Sequence, residues 1–180
     1  MTYCDFFLNV CLEAKDWLNL WIAIFALLVS FFSLIVTIRY ASKSFRPIVT
    51  AAVKTHSGGN EAIIYNLVIK NSGSIPARQV RIQVEENQLA QAFGADSCDE
   101  HYRRIWLACF SSSNEVSLLQ NGDSVSCSFG TTKGGNQGFW RYGASIAVTI
   151  RYQSWFGRQY CEEQILKIRD SDSFTGYLWG

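Results

Sequence analysis

From Trp17 to Ile38 the chain carries no charged side chain. Wound as an α-helix at 1.5 Å per residue, that stretch reaches about 30 Å, the thickness of a bilayer's hydrocarbon core. A signal peptide would need a basic start, a shorter apolar centre and a small-residue cleavage site. Here the leading flank holds Asp5, Glu13 and Asp16 against Lys15, and the trailing flank holds Arg39, Lys43 and Arg46. The pattern predicts a retained transmembrane helix over residues 17–40, with a short segment 1–16 before it and a linker 41–46 after it. Trp17, Trp21 and Tyr40 stand where an interfacial aromatic belt belongs.

Basic residues stay on the cytoplasmic side of a span. Three follow this one and one precedes it, so the expected topology is single-pass in the cell (inner) membrane. The N-terminus is then outside and the long C-terminal part cytoplasmic. Cys98, Cys109, Cys127 and Cys161 are scattered without metal-ligand spacing and read as small buried hydrophobes. Cys4 and Cys11 lie seven apart, a spacing that suits cross-linking between neighbouring chains.

Within the span, Asn19, Ala23, Ala26, Ser30, Ser33 and Thr37 recur at intervals of 4, 3, 4, 3 and 4. That is a heptad seam of small and polar residues. Lipid gives apolar bulk no reason to associate, whereas close backbone approach and hydroxyls bonding across helices do. The seam is expected to hold a homo-oligomer through the membrane helix. A seam this polar also suits the lining of a narrow aqueous path.

After Pro47 the pattern changes to short runs of period two, broken by Gly, Asn and Pro. "AIIYNLVIK" puts Ile63, Tyr65, Leu67 and Ile69 on one face, and "ARQVRIQVEE" separates Val80, Ile82 and Val84 from Arg81, Gln83 and Glu85. "ASIAVTIRYQ" faces Ala144, Ile146, Val148, Ile150 and Tyr152 inward. "PIVTAAVKT", "RRIWLACF", "NGDSVSCSFG" and "WFGRQYCEEQILKI" supply the remaining runs. Seven strands at this spacing predict an all-β, immunoglobulin-like antiparallel sandwich over residues 47–169, with a tail at 170–180. In that tail Phe174, Tyr177 and Leu178 have helical spacing and are expected to dock.

"LVIKNSGSIPARQVRIQVEE", "LLQNGDSVSCSF" and "IAVTIRYQSWFGRQY" resemble the strand motifs of bacterial immunoglobulin-like modules of the CARDB type. The resemblance covers roughly residues 47–169 and implies a binding or spacing unit. Such modules are usually extracellular, which departs from the placement argued above.

No catalytic motif or metal-ligand set stands out, and neither an enzyme nor a cofactor is expected. Sixteen basic residues against fifteen acidic ones leave a net charge of +1, which argues against bulk nucleic-acid binding. Because each strand reverses direction, alternate loops share an end. "NSGSIP", "SSSNEVSLLQNG" and "SWFGR" fall at the end where the chain arrives from the span. There Trp155, Phe156 and Arg158 are expected to contact membrane lipid. "HSGGN", the insertion "NQLAQAFGADSCDEHY" and "TTKGGNQGFWRY" fall at the other end. They gather His101, Arg103, Arg104, Lys133, Trp140, Arg141 and Tyr142, a set suited to an anionic ligand or a protein partner. Three functions are compatible with this layout. One is a membrane-anchored, non-catalytic interaction module. The second is a small membrane effector of antiviral defence, gated by a cyclic-oligonucleotide-type signal, and the third an accessory subunit of a larger membrane complex.

Overall fold

A computed structural model describes residues 3–59 and 61–172; the side chains of residues 3–16 and 42–44 are outside that description. Two compact units divide the chain, residues 1–44 and 45–180. The first is one helix, α1 (Tyr3–Ser44), so residues 41–44, expected as linker, continue the helix. Its stretch Trp17–Ala41 has a mean hydropathy of 2.6 with none of it buried, and is long and apolar enough to cross a membrane. The Cys4 and Cys11 side chains and the residues Phe174, Tyr177 and Leu178 are outside the described set.

The second unit holds seven strands in two antiparallel sheets: β1 (Val49–Gly58), β2 (Ala62–Asn71), β3 (Ala77–Val84), β4 (Val116–Leu119), β5 (Ser124–Lys133), β6 (Ser145–Ser154) and β7 (Gln159–Lys167). One sheet runs β1-β2-β5 and the other β4-β3-β6-β7. Period-two alternation does its work at the interface between them. Tyr65 and Leu67 of β2, Val80 and Ile82 of β3, Phe129 of β5, and Ile146, Val148, Ile150 and Tyr152 of β6 are all buried. Each fully buried aliphatic or aromatic side chain of this kind contributes about 1.5–3 kcal/mol.

The fourth strand is not where the sequence puts it. "RRIWLACF" is helical, split between α3 (Glu100–Trp106) and a 3₁₀ turn (Ala108–Phe110). Asp99 caps α3 by accepting a bond from the His101 amide at 2.8 Å, and Tyr102 and Trp106, four residues apart, stack at 4.7 Å. A continuous apolar run does not separate strand from helix, and here the cap and the i,i+4 aromatic pair decide it. The strand of that position is β4, inside the supposed loop "SSSNEVSLLQNG". It has one buried residue, Leu119, and so leaves little periodic signal. The insertion expected as loop carries α2 (Glu86–Ala92) and a 3₁₀ turn (Ala95–Cys98) ahead of α3.

The motif "NSG" is more than a turn. Buried Asn71 uses its whole amide: Oδ1 accepts from the Ile48 and Gly73 amides at 3.2 and 3.0 Å, and Nδ2 donates to the Ile75 and Leu119 carbonyls at 2.9 and 3.2 Å. It ties the segment leading into β1 to the end of β4. A Cβ at Gly73 would collide with the backbone of Arg46, Pro47 and Ile48, so that position takes only glycine.

The strand register places the connections as the reversal argument does. Ala77 of β3 lies opposite Leu119 of β4 and Ser154 of β6, and Val49 of β1 opposite Asn71 of β2. Residues 72–76, 120–123 and 155–158 therefore share the end at which residues 45–48 arrive. The β1–β2 turn, the 85–115 insertion and the 134–144 connection share the other.

Candidate functional site

At the end away from residues 45–48, the insertion is locked to the β5–β6 connection by rings and by backbone. Phe93 stacks on Trp140 at 5.6 Å and meets Phe139 edge-on at 5.5 Å, while Trp106 meets Phe139 edge-on at 4.8 Å. The Gly94 amide donates to the Phe139 carbonyl at 2.8 Å, and the Arg141 amide donates to the Ala92 carbonyl at 2.8 Å. Gly94 and Gly138 meet main chain to main chain: a Cβ on Gly94 would strike the Gly138 carbonyl, and a Cβ on Gly138 would strike the backbone of Thr131, Thr132 and Lys133 in β5. On this base α3 stands with no buried residue.

The residues expected at this end separate into three groups. Trp140 is not available to a ligand: it is fully buried, stacks on Phe129 at 4.9 Å and donates its indole N–H to the Phe129 carbonyl. A ring of that area between two flanking aromatics does more for the core than for a surface. Lys133 is paired with Asp96 at 2.8 Å, which holds its ammonium above the usual lysine range. With half-buried Tyr142 it borders a separate recess of about 300 Å³ beside the β1–β2 turn. His101, Arg103, Arg104 and Arg141 form the third group, all exposed.

Arg103 lies over the Phe93 ring at 5.0 Å, and Phe93 is the residue next to Ala92, to which Arg141 is bonded. Arg103, Arg104 and Arg141 form no ion pair among the described residues. Guanidinium forks without a carboxylate partner retain their full donor set for a planar anion. Phe93, which carries Arg103, was missed in the sequence; an aromatic directly before a glycine inside a long connection was its one signal.

At the opposite end Trp155 is 54% and Phe156 80% exposed, so the β6–β7 hairpin tip is not folded back on the sandwich. Arg158 lies over Tyr160 at 5.6 Å, and Arg78, not foreseen, lies over Trp155 at 5.7 Å. Along α1 all six seam residues are exposed. The Thr37 hydroxyl donates to the Ser33 carbonyl of its own helix at 2.8 Å, so its hydrogen is not available to a neighbouring helix, though its oxygen still accepts.

Residues 14–172 match the model of a family described as a domain of unknown function, DUF8453. The chain belongs to this family. The matched region takes in both the apolar stretch of α1 and the seven strands, so helix and sheets are one family unit. No curated protein matches the DUF8453 chain, and no solved structure matches it.

Proposed function

We propose that this DUF8453 protein is a membrane-anchored, non-catalytic binding module. Its helix crosses the inner membrane once, with the N-terminus outside and the sandwich in the cytoplasm, and self-associates through the Asn19–Thr37 seam. The observation that carries the reading is the pairing, in one chain, of a bare 25-residue apolar span with a separately cored domain whose Arg103, Arg104 and Arg141 form no ion pair among the described residues. In this proposal Arg103, Arg104 and Arg141, with His101 beside them, take an anionic ligand or the acidic surface of a partner. Trp155, Phe156 and Arg158 meet lipid headgroups. The immunoglobulin-like assignment, of the CARDB type, is part of the same proposal. The Greek-key neighbours β2–β5 and β3–β6 support it.

A second reading, the ligand-gated membrane effector, is favoured by one combination: Arg103, Arg104 and Arg141, without an ion pair among the described residues, together with a polar seam along the span. Both readings share a test. The unit from residue 45 onward has its own core and is suited to calorimetry against nucleotides, cyclic oligonucleotides and acidic peptides. Charged hydrogen bonds contribute roughly 1.5–3 kcal/mol each, so Arg103→Ala, Arg104→Ala or Arg141→Ala is expected to weaken binding about tenfold or more. Added salt should weaken it further. Binding that survives all three substitutions removes the site. Growth arrest on expression with an inducing ligand separates the effector from the plain module.

A further inference from the structure

On the side of the sandwich bordered by β4 and β5, the two sheets stand apart around a cavity of about 420 Å³. Leu67, Val80, Ile82 and Val125 give it apolar walls, and Cys109 and Cys127 both line it. Cys109 sits on the 3₁₀ turn that follows α3, and Cys127 sits in β5, so the two thiols come from segments that are not neighbours in the chain. The Cys109 and Cys127 sulfurs are within hydrogen-bond reach of each other. Cys109 has one S–H and two acceptors for it, the Cys127 sulfur and the Trp106 carbonyl at 3.6 Å. Both cysteines are unbridged; Cys127 is exposed and Cys109 half-buried.

We propose that Cys109 and Cys127 are a reversible dithiol–disulfide pair that responds to hydroperoxides. Cys127 is the attacking sulfur, reached by solvent and with its thiolate able to accept the Cys109 S–H. That bond lowers the Cys127 thiol from its ordinary range, while the same bond, followed by burial, raises Cys109. The Cys127 thiolate attacks one peroxide oxygen; the O–O bond breaks, a proton is taken up, and one water leaves. The Cys127 sulfenic acid that remains is attacked by the Cys109 sulfur. The S–S bond forms, the S–O bond breaks, and the hydroxide leaves as a second water with the Cys109 proton. Two thiols lose two electrons and two protons, and the peroxide is reduced to two waters. A thiol reductant reverses the bond by exchange. In a reducing compartment the resting form is the dithiol. Oxidation fastens the end of the insertion, just after α3, to β5 along the lining of the cavity.

The test uses the full chain in detergent, treated with hydrogen peroxide near stoichiometry, blocked with an alkylating agent and digested without reductant. Peptide mass mapping is expected to find one linked pair, Cys109 with Cys127, that dithiothreitol reverses. Cys109→Ser is expected to leave Cys127 as a sulfenic acid that dimedone traps, and Cys98→Ser to leave the linkage unchanged. Two results overturn the proposal. One is Cys109 and Cys127 both remaining open to alkylation at a dose that oxidises exposed Cys98 and Cys161. The other is Cys127 linked to any other cysteine. The wild-type map decides between these without relying on a variant that folds.

Discussion

The two long sides of the sandwich are closed by different means. On one, β1 of the first sheet lies against β7 of the second, and side chains finish its backbone. Gln164 accepts from the Ala51 amide at 2.9 Å and donates to the Val49 carbonyl at 3.0 Å. Further along, the Thr55 amide donates to the Ser171 hydroxyl at 2.7 Å, the Ser171 amide donates to the Thr55 hydroxyl at 2.9 Å, and that hydroxyl donates to buried Asp170 at 2.9 Å. On the other side, β5 faces a four-residue β4 across a cavity, and the insertion lies over it. An outer strand must have its unpaired backbone satisfied, covered or kept short. This molecule satisfies one side and shortens and covers the other. The closed side is therefore expected to hold the fold together, and the open side to be where sequence change is tolerated and chemistry is placed.

The largest expected effect is on the closed side. Gln164→Leu strips two backbone groups of β1 of their partners, at about 1–3 kcal/mol for each one left unsatisfied. Thermal unfolding should shift down by several degrees, with Gln164→Glu, which keeps an acceptor, in between. A shift within error for Gln164→Leu would mean that water replaces the amide and that the closed side is not closed.

Next in size is an alkaline effect at Tyr152, whose hydroxyl donates to Glu162 at 2.9 Å and reaches the Pro47 carbonyl at 3.3 Å. Burial first, and then the Glu162 hydrogen bond, push its phenol well above the ordinary value of 10.0. The folded state thus favours the neutral phenol. The contribution is fully present below pH 10 and is lost as pH rises from there towards the folded pKa, at most about 1.4 kcal/mol per pH unit. Between pH 10 and 11 the stability of the wild type should fall faster than that of Tyr152→Phe. Parallel losses would remove Tyr152 from the account.

The smallest effect is expected on the open side. Leu118 of β4 is 45% exposed. Leu118→Gln should change stability by no more than about 0.5 kcal/mol, the usual range for surface positions. A loss as large as that of Gln164→Leu would erase the contrast between the two sides.

The same contrast explains what the sequence showed. β2, β3 and β6 are buried on one face along most of their length, so alternation marked them residue by residue. The open side has no such record. β4 has a single buried position, and the helices of the insertion are short and signalled by one cap and one aromatic pair. Trp140 was grouped with the arginines by its place in a connection, but Phe93, Phe129 and its own neighbour Phe139 bury it. The gathering of Arg103, Arg104 and Arg141 at one end was legible because it depends on strand parity, which survives an error in where a strand lies. Lys133's partner Asp96, thirty-seven residues away, was not legible from spacing.

The backbone contact between Gly94 and Gly138 also limits how this family can diverge. Most packing faults admit a compensating change, a smaller residue opposite a larger one. Here neither partner has a side chain to shrink, so a substitution at one position has no remedy at the other. Sequences that keep the insertion seated in this way should carry glycine at both places. Arg103, Arg104 and Arg141 stand on the surface nearby and answer to no such restriction. Under the proposed binding role, a lineage that changes what it binds has room to do so there, between two fixed points.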